Sequence, residues 1–104
     1  DVYKRQPYDY VLSPVAPVVA YNAEWAAPTN EVATTMHHIG YTLPYNMSEQ
    51  PAASVNCGYT RAGLPIGLQI AGARFDDLGV LRVAHAWERM RPAQHPWPQP
   101  PGAA

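Results

Sequence analysis

Three serines, one cysteine, four histidines and one lysine are the side chains of this 104-residue chain from which nucleophilic or metal chemistry could be built. A hydroxyl is a poor nucleophile at neutral pH, so a serine hydrolase needs a hydrogen-bonded base beside it and backbone donors for the developing oxyanion. Ser13, Ser48 and Ser54 stand apart from one another and outside any Gly/Ser-rich run, and the one lysine, Lys4, lies near the first residue. Cys57 has no reactive-cysteine pattern around it and closes an apolar stretch, so a buried small hydrophobe is expected there. His37 and His38 are neighbours, which on a helix directs them about 100° apart rather than onto one metal. His85 and His95 add no companion cysteine or carboxylate spacing. Neither a metal nor a cofactor is expected. The glycines of GLPIGLQIAG, residues 63–72, lack both the G-K-[ST] ending and the G-x-G-x-x-G spacing of phosphate cradles. Gly63 and Pro65 instead suit a turn into a strand, and Gly67 and Gly72 suit close backbone approach.

The elements that would carry these residues follow from apolar spacing. Tyr10–Ser13 reads as a buried strand, and Val15–Pro28, interrupted by prolines, as a loop whose Tyr21 and Trp25 cover core surface. Thr29 or Asn30 can cap a helix to Ile39, with Val32, Met36 and Ile39 as one buried stripe and Gly40 as its stop. A short helical turn is expected to start near Ser48, limited by Pro51. Ala53–Asn56 and Pro65–Ile70 read as two strands joined by a Gly-containing turn, and Gln69 as a buried structural amide sharing a face with Gly67 and Ala71. Asp76 or Asp77 can cap a helix over Leu78–Met90 whose apolar face is Val80, Val83, Ala84 and Trp87. Gly79 is expected to cost that helix about 1 kcal/mol against Ala. Residues 91–104 hold five prolines, which predicts a polyproline-like or disordered tail, with Trp97 resting on the body.

One stretch, Tyr45–Gly72, reads YNMSEQPAASVNCGYTRAGLPIGLQIAG. Its Asn46, Met47, Ser48, Pro51, Ala52, Gly58 and the run Gly63–Gln69 resemble the C-terminal signature of the amidase signature family of serine hydrolases. Two positions depart: Glu49 stands where the family often has Gly, and Asn56 where Pro frequently precedes the end of a strand. The resemblance implies an α/β fold, of which this chain is the C-terminal part of a mixed sheet flanked by helices, incomplete as a domain. It also implies amide cleavage by a Ser–cis-Ser–Lys set in a Gly/Ser-rich segment absent from this sequence, so the chain alone is expected to be inactive. Tyr45, Asn46, Met47 and Gln50 lie where the family's C-terminal region approaches its substrate pocket, which makes them the substrate-pocket candidates. The family spans stand-alone amidases and the A subunits of tRNA-dependent amidotransferases. A subunits typically carry an Asp three residues before the Thr of T-x-x-x-N-L. Here that Thr is Thr42 and the position is Ile39, which favours a stand-alone amidase over the alternatives, an amidotransferase A-subunit piece or a small non-catalytic binding module.

The chain is 47% hydrophobic and 14% charged, globular in composition yet poor in surface charge, as suits a piece with a face buried by a larger body. A net charge of −1 without a Lys/Arg cluster gives no case for nucleic acid or an anionic membrane. The expected partners are the remainder of an amidase chain and a small-molecule amide, with a homo-oligomer left open. A lone cysteine excludes an intrachain disulfide, no apolar run approaches the roughly 20 residues of a spanning helix, and the cytoplasm is the default location. Residues 1–6, DVYKRQ, can be translated from GAT GTG TAT AAG AGA CAG, which matches a transposon-end sequencing adapter, and are expected to be non-native. Residues 7–90 are then the amidase-like segment and 91–104 the tail.

Overall fold

The structure, a computed structural model, describes residues 8–29, 31–34 and 36–102. The suspected adapter with Lys4, the second cap candidate Asn30 and the side chain of Val32 lie outside the described residues. Three strands, β1 (Val11–Pro14), β2 (Ala52–Tyr59) and β3 (Pro65–Ala71), form one sheet in the order β1-β3-β2. Both pairings are antiparallel, with Ser13 and Ser54 each opposite Gln69 on the central strand. Two helices accompany the sheet, α1 (Leu43–Ser48) and α2 (Asp77–Met90).

The β2–β3 hairpin closes through Thr60, whose N–H donates to Leu64 O at 2.8 Å and whose Oγ1 accepts from Leu64 N at 3.1 Å. Gly63, at φ 88°, supplies the turn conformation that a side chain disfavours. The register slips between Asn56 and Gly58, leaving Cys57 in a bulge. Asn56 braces that bulge: its Oδ1 accepts from Gly58 N and its Nδ2 donates to Gly58 O. The bulge overturns the expectation for Cys57, which is exposed because the extra residue turns it off the paired face.

Helix α2 packs against β2 and β3, with Asp76 as its N-cap accepting from Gly79 N at 3.2 Å. Val80 is buried, Val83, Ala84 and Trp87 are half-buried, and Trp87 Nε1 donates to Asn56 O at 2.8 Å. The apolar face read from the sequence is therefore the packed one. Ile70, fully buried at the centre of the sheet, is the largest enclosed side chain among the described residues.

The expected helix to Ile39 is not formed. Two separate 3₁₀ turns, Val32–Thr34 and His37–Ile39, take its place, and Met36 is 62% exposed rather than part of a buried stripe. Thr29 Oγ1 accepts from Glu31 N, the bond of a cap, but the residues that follow are rich in Thr and other types of low helix propensity. The short helix expected from Ser48 instead ends there. Leu43 and Pro44 open it, Pro44 serving where a missing N–H costs nothing, and Glu49 ends it in the left-handed conformation. Residues 91–102 have no helix or strand; Trp97 is 89% exposed, and His95 is the side chain that meets the body, stacked on Tyr59 at 3.6 Å with its backbone N–H donating to Tyr59 Oη.

Candidate functional site

Strand alternation puts Gly67, Gln69 and Ala71 on one face of β3. Gly67 allows a crowded approach there: a Cβ would lie 2.8 Å from Val15 Cγ2 and 3.2 Å from Ser54 Oγ. Gln69 is 4% exposed, and its Nε2 donates to Ser13 Oγ (3.0 Å) and to Tyr41 O (2.8 Å). One amide thus ties β1 and the segment before α1 to the central strand, which is the structural role expected of it.

The segment after α1 is anchored at the other end of β3. Gln50 Nε2 donates to Gly72 O at 3.1 Å, its Oε1 accepts from Ser48 Oγ at 2.8 Å, and Gly72 N donates to Pro51 O at 3.0 Å. Arg74 and Glu49 form an ion pair across the same junction. Between these anchors α1 stands off the sheet and leaves an open cleft of about 260 Å³, lined by Val15, Thr42, Tyr45, Asn46, Gln50, Ala52, Ala53, Ser54 and Gln69.

Tyr45, Asn46 and Gln50 therefore come together in one cleft, whereas Met47 is 78% exposed and outside its lining, on the other side of the short helix. The sequence did not single out Thr42, Ser54 or Val15 as lining residues. The pairing of Ser54 with Gln69 would have pointed to the serine, but that register depends on where the bulge falls. Every lining side chain is neutral. Ser54, the serine in the cleft, has no Lys, Arg, His, Asp or Glu among its neighbours in the lining, so nothing there can take its proton. Ser13 Oγ is engaged by Gln69 and donates to Pro14 O, and Ser48 Oγ is engaged by Gln50. Among the described residues no group of three potential metal ligands comes together, and no helix is long and apolar enough to cross a membrane.

A sheet with the G-L-P-I-G-L-Q strand at its centre and an Asn-bearing helix over it is an arrangement that comparison assigns. The family model described as Amidase matches residues 1–81, and the chain belongs to that family. Among relatives, the A subunit of glutamyl-tRNA(Gln) amidotransferase from Myxococcus xanthus is 46% identical over 85 residues, 81% of this chain and 17% of that protein. Its counterpart from Brevibacillus brevis is 44% identical over 82 residues, 79% of this chain and 16% of that protein. The crystal structure of the corresponding glutamyl-tRNA(Gln) amidotransferase polypeptide from Thermotoga maritima superimposes with a TM-score of 0.76 at 33% identity, covering 86% of this chain and 19% of that one. The chain thus spans under a fifth of the length of these relatives and has the α/β fold of the corresponding part of the family.

Proposed function

We propose that this chain forms one wall of the substrate site in an amide-cleaving enzyme of the amidase family, whose nucleophile and base are supplied by a longer polypeptide. The observation that carries the reading is the cleft in which Tyr45, Asn46 and Gln50 face the strand residues Ser54 and Gln69 without any side chain able to act as a base. Such a wall binds and orients; it does not react. Purified on its own, the chain is expected to leave simple amides intact, and turnover by it would overturn this division of labour. In the intact enzyme, Asn46→Ala is expected to raise KM several-fold or alter substrate range, because it removes a contact to the substrate. A change in thermal stability alone, with unaltered kinetics, would count against Asn46 as a substrate contact.

Within the family we favour a stand-alone cytoplasmic amidase acting on a small carboxylic amide. Ile39, where the A-subunit resemblance calls for Asp, offers only its backbone carbonyl, already occupied by Thr42 N (3.1 Å) and Thr42 Oγ1 (3.2 Å). It cannot make a charge-assisted bond to an amino group. The second reading, an A subunit of a glutamyl-tRNA(Gln) amidotransferase, is favoured by the names of the relatives, at 46% and 44% identity. Hydrolysis of a simple amide by the full-length polypeptide without added subunits would support the first reading. Activity only in complex with partner subunits would support the second.

A further inference from the structure

Gln69 brings to the cleft a buried acceptor that the chain leaves unused. Its Nε2 faces Tyr41 O and Ser13 Oγ, and because a carbonyl can only accept, the amide cannot be turned over without setting two oxygens against each other. With that orientation fixed, Oε1 receives no hydrogen bond from any described residue, although Gln69 is 4% exposed and lines the cleft. A buried amide oxygen without a donor is costly, and a bound group that supplies one removes that cost. The side-chain amide of Asn46, on the α1 wall of the same cleft, is exposed and can turn to a bound group. Thr42 and Gln50, by contrast, are engaged, Thr42 Oγ1 with Ile39 O and both ends of the Gln50 amide with Gly72 and Ser48. No charged side chain is present to receive a carboxylate or an ammonium group.

We infer that Gln69 is a specificity-determining residue: its Oε1 accepts an N–H of an uncharged carboxamide in the cleft, while the Asn46 side-chain amide donates to that group's carbonyl. The cleft then selects carboxamides that retain an N–H over N,N-disubstituted amides and over the corresponding acids. For its place in an enzyme this rests on the substrate-wall reading above; the binding itself does not.

The test is a titration of the intact enzyme, followed by the side-chain amide resonances of Gln69 and Asn46, with isobutyramide, N,N-dimethylisobutyramide and isobutyrate. Isobutyramide is expected to give saturable shifts at both side chains, and the other two to bind at least about tenfold more weakly, since each leaves Oε1 without a donor. Equal affinity for the dimethylamide or the acid, or no saturable shift with isobutyramide, overturns the inference. Gln69→Met is expected to abolish the discrimination. Should that variant fail to fold, the three-ligand series on the unaltered enzyme still decides. Selective carboxamide binding combined with unchanged kinetics of Asn46→Ala in the intact enzyme would retain this inference and sink the substrate-wall reading; the converse pair of results would do the opposite.

Discussion

Glu49 holds φ 59° and ψ 28°, left-handed values that cost an L-residue roughly 1–2 kcal/mol. The family resemblance places Gly at this position, and the structure supplies the reason: the chain must leave α1 in that conformation for Gln50 and Pro51 to reach Gly72. The ion pair with Arg74, exposed on both sides, offsets little of the strain. Glu49→Gly is therefore expected to raise stability by about 1 kcal/mol in urea unfolding, despite loss of the ion pair. Destabilisation would mean that the left-handed turn is not present. Gln69 was legible from sequence as a buried amide because strand alternation aligns it with Gly67 and Ala71. Cys57 was misread because a bulge has no period to betray it. Met47 was grouped with its neighbours Tyr45 and Asn46, and a short helix turns adjacent residues to different sides.

The junction of α2 with the first strand shows how an element overrides a residue's own preference. Gly79 weakens a helix by propensity, yet a Cβ at this position would collide with the Asp76 carboxylate and the Tyr10 hydroxyl. Asp76 both caps α2 through Gly79 N and accepts from Tyr10 Oη at 3.0 Å, so one carboxylate fastens the helix to the residue that leads into β1. Gly79→Ala is expected to destabilise by about 1–2 kcal/mol, since a lost cap and a lost charged hydrogen bond outweigh the propensity gain. A stabilised Ala variant in thermal melts would contradict the contact. Donating to Asp76 keeps the Tyr10 hydroxyl protonated, and this bond, with desolvation and the nearby carboxylates, raises the phenol above its ordinary value near 10. The sign follows: a group whose folded pKa is raised contributes stability fully below the unfolded value and loses it as pH rises through the folded one. Melting temperature is thus expected to fall in the alkaline range above about pH 10. Tyr10→Phe should flatten that fall; an unchanged alkaline slope in the variant would exclude Tyr10 as its source. The segment through Ile39 was the element least legible from sequence. Its apolar spacing fits a helix, but Met36 finds no surface to bury it.

At the scale of the whole molecule, a Cα radius of gyration of 16.2 Å exceeds the roughly 13 Å of a compact domain of this length, and the extents of 49 × 40 × 23 Å describe a plate. Ala27, Ile70, Ala71 and Val80 are the buried apolar residues described, while Leu12, Ile66, Leu78 and Leu81 are exposed. One sheet with one packed helix buries too little to offset the entropy of ordering the chain by a wide margin. The isolated chain is expected to bind a hydrophobic dye such as ANS and to unfold over a broad range of urea, with a shallow slope. A steep two-state transition without dye binding would show that these surfaces are covered in solution.

The sequence by itself determined the family, through a run of turn and strand residues whose types are set locally, and it determined which strands and which capped helix would form. It also determined that the one lysine, Lys4, and the three serines lie outside any Gly/Ser-rich run, because that is a matter of composition and order along the chain. Only the tertiary structure decided which polar side chains share a cleft. Ser54 and Gln69 are opposed by a register that the Asn56–Gly58 bulge shifts, and Asn46 reaches the same cleft through a helix start that Pro44 sets and a left-handed exit that Glu49 must adopt. Those are relations between distant segments, fixed by which hydrogen bonds can be satisfied at once, and no single stretch of residues carries them.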